Sequence, residues 1–146
     1  MKNTLFLFAL GGIATFFYAC SGGADATGKA SSADTWLAPG ENDHKTIQTL
    51  LINAKDGDTL RFDEGVFQLD NSLSLDGLKN ITMLGKGMDK TIFSYKEQKA
   101  GAEGIKVSNA ASFAIVDMAI EDTKGDAIKV IDSDGVHFNR LRTEWT

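Results

Sequence analysis

The sequence contains little cysteine, histidine or proline: one Cys, two His and one Pro among 146 residues. A single cysteine excludes a disulfide within the chain, and with two separated histidines it provides too few ligands for a zinc site. Positive charge is also scarce, with 15 Lys and Arg against 20 Asp and Glu and a net charge of −5. We therefore expect no nucleic-acid partner, because such proteins depend on a basic surface. Nine Phe and the scarcity of proline indicate a folded chain rather than a disordered one.

Residues 1–20 have the order of an export signal. Lys2 supplies the positive end, and the stretch 5–19 is almost wholly apolar or small but too short to span a bilayer comfortably. Its end, Phe-Tyr-Ala-Cys at 17–20, resembles the lipobox of bacterial lipoproteins, although the first two residues are bulkier than usual. The resemblance implies that Cys20 is lipidated, becomes the mature N-terminus and anchors the protein in the cell envelope of a bacterium. The alternative is a plain secretory signal, with Cys20 removed or left as a free thiol and the protein secreted.

The next segment, 21–35, consists mainly of Ser, Gly, Ala, Thr and Asp and is typical of a flexible linker. The folded domain is predicted to span 36–146. If Cys20 is lipidated, the membrane is a partner of the protein. Each acyl-chain methylene buried in the bilayer contributes about 0.8 kcal/mol to anchoring.

A repeat of twenty-three residues is the clearest pattern in the sequence, since segment 104–123 returns as 127–146. Gly-Ile-Lys-Val is matched by Ala-Ile-Lys-Val, and Met-Ala-Ile-Glu by Leu-Arg-Thr-Glu. An earlier copy has Leu73 thirty-two residues before Ile105, which is one repeat plus a nine-residue insertion. A period in the low twenties, built of short alternating strands broken by Gly, Asn and Asp, predicts a solenoid of stacked β-coils.

A short helix is predicted before the coils. Asp43 is its expected N-cap, the helix continues to about Ala54, and Ile47, Leu50 and Leu51 fall on one face. Strands at 59–62 and 66–69 follow, separated by a turn. We expect the helix to cover the apolar end of the first coil, which would otherwise be open to solvent and to edge pairing.

From Leu73 onward, alternate residues of each short strand are predicted to point into the core. The predicted core residues are Leu73, Leu75, Ile81, Met83, Ile105, Val107, Phe113, Ile115, Met118 and Ile120, followed by Ile128, Val130, Val136, Phe138, Leu141 and Thr143. Three segments per coil predict three parallel sheets around a triangular interior, with 85–87 as a turn and 96–104 as an excursion. An α/β fold needs ten or more helical residues between strands, and no such stretch follows Ala54.

The segment from Ile47 to Phe67, with Gly-Asp-Thr-Leu at its centre, resembles the opening of right-handed parallel β-helix proteins of the pectin-lyase-like superfamily. Runs 85–91, 99–104 and 121–128 resemble the carbohydrate-binding and sugar-hydrolase repeats of bacterial members. The resemblance implies an all-β fold, a right-handed parallel β-helix with a short N-terminal capping α-helix. Members include lyases, epimerases, hydrolases and plain binders, so the fold does not name a reaction. Because members normally have more coils, we expect a C-terminally truncated chain or one completed by a partner.

Stacking predicts two ladders of like charge on the outer surface. Lys106 and Lys129 are expected one above the other, about 4.8 Å apart. They repel unless an anion lies over them, such as a uronic-acid polymer or a nearby Asp or Glu. The structural alternative is two solvated lysines that splay apart.

Glu121 and Glu144 form the second predicted ladder. Stacked carboxylates raise the pKa of at least one member or bind a cation such as calcium. Either outcome suits a polysaccharide lyase or epimerase, which neutralises a uronate and removes a proton beside it. The alternative is an exposed pair offset by Arg142, Arg140 or Lys124.

The polar turn 122–126 lies beside both ladders and adds Asp122, Lys124 and Asp126 to the candidate binding residues, with Arg142. The run 132–135 lacks the remaining acidic ligands of a calcium loop and is interpreted as a turn. Both histidines are interpreted as structural or solvated. Trp145 suits either a sugar-stacking side chain or a solenoid residue left exposed.

Two functions follow from these features. One is a membrane-tethered protein that binds or acts on an acidic polysaccharide, as a lyase, epimerase or hydrolase. The other is a non-catalytic structural or binding module, or an inactive fragment. No complete set of acid, base and neutralising group can be assembled from the sequence, and no cofactor is predicted apart from calcium on the glutamate ladder.

Overall fold

The structure is a computed structural model that describes residues 35–146. The predicted export signal, the lipidation site Cys20 and all but the last residue of the predicted linker lie outside the described residues. The elements, in chain order, are β1 (Trp36–Leu37), α1 (Asp43–Asn53), β2 (Thr59–Phe62), β3 (Gly65–Gln68), β4 (Asn71–Asp76), β5 (Thr82–Leu84), β6 (Thr91–Ser94), β7 (Ala100–Ser108), β8 (Ala114–Glu121), β9 (Ile128–Ile131) and β10 (His137–Glu144).

The strands form two sheets in which every pair is parallel. The larger sheet has the order β1-β2-β5-β8-β6-β3, with β10 also paired to β8, and the smaller has the order β4-β7-β9. The described chain is therefore mostly β, with one helix and a curled, all-parallel sheet that is compatible with a β-helix.

The prediction of three separate sheets is wrong, because β8 and β10 each run through two of the predicted segments. The first half of β8 pairs with β5 and its second half with β6, so one strand joins both into a single sheet. Asp117 in β8 and Arg140 in β10 have φ angles of 58° and 48°. A single residue in this left-handed region bends a strand without ending it, which joins segments that the sequence pattern separates.

The register of the repeat is confirmed. Ile105 pairs with Ile128 across β7 and β9, and Met118 pairs with Leu141 across β8 and β10, each twenty-three residues apart. The thirty-two-residue offset also holds, since Leu73 pairs with Ile105.

Parts of the strand prediction need correction around the insertion. The segment 96–104 was expected outside the stack, yet β7 begins at Ala100, which pairs with Asn71 before the register shifts. Strand β6 was not predicted, although Phe93 pairs with Ile120 at its centre. Its four residues alternate only briefly and lie outside the twenty-three-residue repeat, so the period gave no signal for them.

The predicted core is confirmed for the earlier coils and holds only in part for the last one, where Ile128, Val136 and Leu141 are partly buried against the core. Residues from Leu73 to Ile120 that were expected inside are buried, whereas Val130 and Phe138 are 41 % and 48 % exposed and Thr143 is exposed. These residues stack on buried partners in β7 and β8, but nothing among residues 35–146 packs on their other side. A side chain that points to the core face of its strand is buried only where other residues also pack over it.

Helix α1 closes the opposite end of the stack, as predicted. Ile47 and Leu51 are buried in the core, while Leu50 is 37 % exposed. The predicted N-cap is wrong by one residue, since Asn42 occupies that position. The Asp43 carboxylate instead accepts hydrogen bonds from the backbone N–H groups of Gly40 at 2.6 Å and Gln68 at 2.8 Å, which fastens the helix to the end of β3.

Gln48 on α1 satisfies the free edge of β4. Its side-chain Nε2 donates to the Ser74 carbonyl at 2.9 Å, and its Oε1 accepts from the Ser74 N–H at 2.8 Å. The side-chain amide thereby forms the two hydrogen bonds that a neighbouring strand would form with Ser74, and it protects the edge from pairing with another chain.

We expect Gln48→Ala to lower the free energy of unfolding by about 1–2 kcal/mol, because two exposed hydrogen bonds are lost. Urea unfolding followed by circular dichroism measures this loss. Thr49→Ala, on the solvent side of the same helix, is the matched control, and an equal loss in both variants would contradict the edge-capping role.

A column of left-handed residues turns the chain between the two sheets. Gly57, Asn80, Ser112 and Gly135 all have positive φ and follow one another at offsets of one repeat or one repeat plus the insertion. The N–H of each of the first three donates to a carbonyl of the following coil: Gly57 to Lys79, Asn80 to Ala111 and Ser112 to Asp134, at 2.8–2.9 Å. Asn tolerates this backbone conformation, as predicted for Asn80.

Candidate functional site

The lysine ladder exists as predicted, on the three-stranded sheet. Lys106 and Lys129 are directly paired on β7 and β9. Lys129 Nζ donates to Glu103 Oε1 at 2.9 Å, whereas Lys106 forms no ion pair within residues 35–146. The ladder therefore has one compensated and one uncompensated positive charge. Glu103 was missed, because it lies in the insertion, where the repeat predicts no neighbour.

The hydrogen bond between Lys129 and Glu103 lowers the pKa of Glu103 and raises the pKa of Lys129. Both groups are therefore charged at neutral pH. A carboxyl with a lowered pKa stabilises the fold above its unfolded pKa, and this contribution is lost as the pH falls through the folded value. Protonation of Glu103 in the acidic range thus releases Lys129.

A carboxylate lies on the same sheet, two residues along β4 from Ser74, the partner of Lys106. Asp76 at the end of β4 accepts hydrogen bonds from Asn109 Nδ2 at 2.7 Å and Ser108 Oγ at 2.8 Å. These two hydrogen bonds lower the pKa of Asp76, with a smaller contribution from the charge of Lys106. The positive face is thus bordered by a fixed negative charge.

The glutamate ladder also exists, on the seven-stranded sheet, and Arg142 lies between its members. Glu121 and Glu144 are paired on β8 and β10. Arg142 Nη2 lies 2.8 Å from Glu121 Oε1, Nη1 contacts Glu144 Oε1, and Nε lies 3.6 Å from Asp89 Oδ1. The guanidinium is mostly buried, and Nη2 also donates to the Met88 carbonyl at 3.1 Å.

The neighbours of Arg142 support the structural alternative for this ladder. A guanidinium lies between the carboxylates, where a calcium ion or a uronate-neutralising group was envisaged. Arg140, the other predicted compensating residue, contacts Asp117 instead. Their hydrogen bond lowers the pKa of Asp117 and raises the pKa of Arg140.

Within residues 35–146, no hydrogen bond or ion pair of the side chains in turn 122–126 joins the two ladders. Asp122 accepts from the Thr146 N–H at 2.6 Å and from Thr146 Oγ1 at 2.8 Å, which lowers the pKa of Asp122. The backbone N–H of Lys124 donates to Gln98 Oε1 at 3.0 Å. The Asp126 carbonyl accepts the Gly104 N–H at 2.8 Å. These contacts hold the turn in place, and the two ladders remain on different sheets.

Among the concave regions of residues 35–146, two that lie away from the ladders have polar linings. One, of about 650 Å³, is formed by the uncovered face of the last coil and includes Ile128, Phe138, Leu141 and Trp145, with Asp126 and Arg140 at its polar side. Trp145 Nε1 donates to the Thr123 carbonyl at 2.6 Å while the residue is 64 % exposed.

The other concave region, of about 370 Å³, lies at the start of α1 and was not predicted. Its lining includes Glu41, His44, Lys45, Gln68, Asp70 and Glu97. His44 Nδ1 lies 3.7 Å from Asp70 Oδ1, and Lys99 Nζ lies 3.3 Å from the other oxygen of that carboxylate. His44 Nε2 lies 3.4 Å from the Ser72 carbonyl, so the histidine links the helix to β4. His137 is exposed.

Within residues 35–146, no three His, Cys, Asp or Glu side chains are close enough together to hold a metal ion. In the same part of the chain, no helix is both long and apolar enough to cross a membrane.

No protein-family model, curated protein or solved structure matches this chain. The arguments for its function therefore come from its own residues and geometry.

Proposed function

We propose that this protein is an exported, envelope-tethered, right-handed parallel β-helix module that binds an acidic polysaccharide through Lys106 and Lys129. The parallel pairing of these two lysines on adjacent strands is the observation that carries the proposal. Two lysines paired on adjacent strands form a local positive surface on an acidic protein, and carboxylates of a polyanion relieve the repulsion between their ammonium groups.

The ion pairs favour binding over catalysis. Glu103 is bonded to Lys129, and Glu121 and Glu144 both contact Arg142. A carboxylate held by a cation is a weak proton acceptor, because the cation stabilises its charged form. The same contacts fix Lys129 through Glu103 and the two glutamates through Arg142, whereas Lys106 has no ion pair within residues 35–146.

The test is calorimetric titration of the purified protein with polygalacturonate and with alginate at two salt concentrations. We expect the double variant Lys106→Gln/Lys129→Gln to bind about tenfold more weakly, the usual effect of losing a charge-assisted contact. Higher salt should weaken the wild type more than the variant. Lys45→Gln/Lys55→Gln, which removes the same charge near α1, is the matched control and should bind as the wild type does.

Glu103→Gln gives a result of opposite sign. It removes the anion paired to Lys129 while keeping the size of the side chain, so we expect tighter binding of the same polymers. Weaker binding would show that Glu103 positions Lys129, and no polymer binding by any form would refute the polysaccharide proposal in favour of a purely structural module. Appearance of unsaturated sugar products would establish lyase activity instead.

The envelope location is tested separately. Fractionation of a bacterial host expressing the full chain should place the protein with the membranes, and Cys20→Ser should release it. A soluble wild-type protein would favour the plain secretory signal.

A further inference from the structure

The chain has three Asp-Gly pairs, at 56–57, 76–77 and 134–135, and each glycine occupies a left-handed corner of the stack. An Asp-Gly bond is chemically vulnerable, because the glycine nitrogen is unhindered and can attack the preceding carboxyl group. The structure treats the three pairs differently.

In the first two pairs, the following coil engages both reacting groups. The Gly57 N–H donates to the Lys79 carbonyl at 2.9 Å, and Asp56 Oδ1 accepts from the Lys79 N–H at the same distance. The Gly77 N–H donates to the Ser108 carbonyl at 3.0 Å, and the Asp76 carboxylate is held by Ser108 and Asn109. Attack at either pair first breaks a hydrogen bond between coils.

In the third pair, neither the glycine N–H nor the carboxyl group forms a hydrogen bond with another coil within residues 35–146. Gly135 continues the column of Gly57, Asn80 and Ser112, but no following coil offers it a carbonyl within residues 35–146. Its N–H donates instead to Oδ1 of Asp134, the preceding residue, at 2.8 Å. Asp134 is exposed, and its carboxyl group forms no hydrogen bond or ion pair with another coil within residues 35–146. The hydrogen bond from the Gly135 N–H holds the nitrogen beside the carboxyl group whose carbon it would attack.

We propose that Asp134-Gly135 is a site of spontaneous succinimide and isoaspartate formation in the folded protein. The Gly135 nitrogen forms a bond to Asp134 Cγ, and the carboxyl hydroxyl leaves as water with the proton of the amide. Water then opens the ring at either carbonyl and restores aspartate or gives isoaspartate. No oxidant or other reagent is needed.

Isoaspartate at this position changes the connection between coils. The Asp134 N–H donates to the Ala110 carbonyl at 2.9 Å, and its carbonyl accepts the Ser112 N–H at 2.9 Å. The rearranged bond inserts a methylene into the main chain between these groups. The two hydrogen bonds cannot both keep their geometry, so the last coil is loosened at this corner.

The test is incubation of the purified protein at neutral pH and body temperature, followed by peptide mapping with fragmentation that distinguishes isoaspartate. We expect about tenfold more isoaspartate at residue 134 than at residue 56 or 76. At the latter two sites the glycine N–H must first break its hydrogen bond to the following coil, and a cost of about 1.4 kcal/mol slows the reaction by that factor. In concentrated urea the fold is lost, and the three sites, which share the Asp-Gly pair, should react at similar rates. This arm separates an effect of the fold from one of composition.

Asp134→Glu should abolish the modification at this corner, because attack would form a less favourable six-membered ring. Asp132→Glu, a matched change at an exposed neighbour, should leave it unaltered. Equal modification of the three sites in the folded protein would overturn the proposal, as would less modification at residue 134 than at the others.

Discussion

Phe93→Ala should lower the free energy of unfolding by about 3–5 kcal/mol, the usual cost of removing a large buried aromatic side chain. Phe93 is fully buried at the centre of β6, with its ring centroid 5.0 Å from that of Phe62 and 5.2 Å from that of Phe67. The three rings come from β2 and β3, which follow one another in one coil, and from β6 in the next coil. Their contacts hold the first coils together, and a close-packed core fills such a cavity only in part.

Urea unfolding followed by far-ultraviolet circular dichroism measures this loss. Phe138→Ala is the matched control, because the same side chain on β10 is 48 % exposed. It should cost under about 1 kcal/mol, since much of its apolar surface is already in water. Similar losses in the two variants would show that the arrangement of the first coils is incorrect.

Gly104→Ala should cost about 2–4 kcal/mol through overpacking and the loss of an inter-coil hydrogen bond. An added Cβ would lie 2.6 Å from the Ala127 carbonyl oxygen and 2.7 Å from Thr123 Cγ2. The Ala127 oxygen cannot move away freely, because it accepts the Ile105 N–H at 3.0 Å. Tyr95, whose hydroxyl donates to the Gly104 carbonyl at 2.7 Å, confines the other side.

Gly40→Ala provides the comparison for this glycine, since its added Cβ would meet only Asp43 Oδ1, at 3.9 Å. We expect no more than about 0.5 kcal/mol of change there. Thermal unfolding of both variants and the wild type distinguishes the two positions. A tolerated alanine at residue 104 would mean that β7 and β9 are farther apart than the structure has them.

The sequence predicts the stacking register well, because the alternation of apolar residues and the twenty-three-residue period specify the same pairing twice. Lys106 against Lys129 and Glu121 against Glu144 follow from the period alone. The period does not predict what the side chains contact. Glu103 comes from the insertion, and its contact with Lys129 depends on how β7 is lengthened.

Arg142 illustrates the same limit for the second ladder. The sequence places it beside the glutamates, but its contacts with Asp89 and Met88 join segments more than fifty residues apart in the chain. The bend at Arg140 was also missed, since arginine rarely adopts a positive φ and no residue type signals it. Local pattern predicts the repeating scaffold, whereas tertiary contacts decide which charges remain uncompensated.

The parallel pairing has a consequence for how mutations combine. Strand neighbours lie one coil apart, and Ile115 is paired with Phe138 on β10. We therefore expect a mutation of Ile115 to change the energetic effect of a mutation at Phe138 more than at residues that are near in the sequence but lie on the other sheet. Double-mutant cycles should therefore show coupling free energies between paired positions, and near-additivity between positions two coils apart. In this chain, two residues twenty-three positions apart in the sequence should therefore be more strongly coupled than two residues five positions apart.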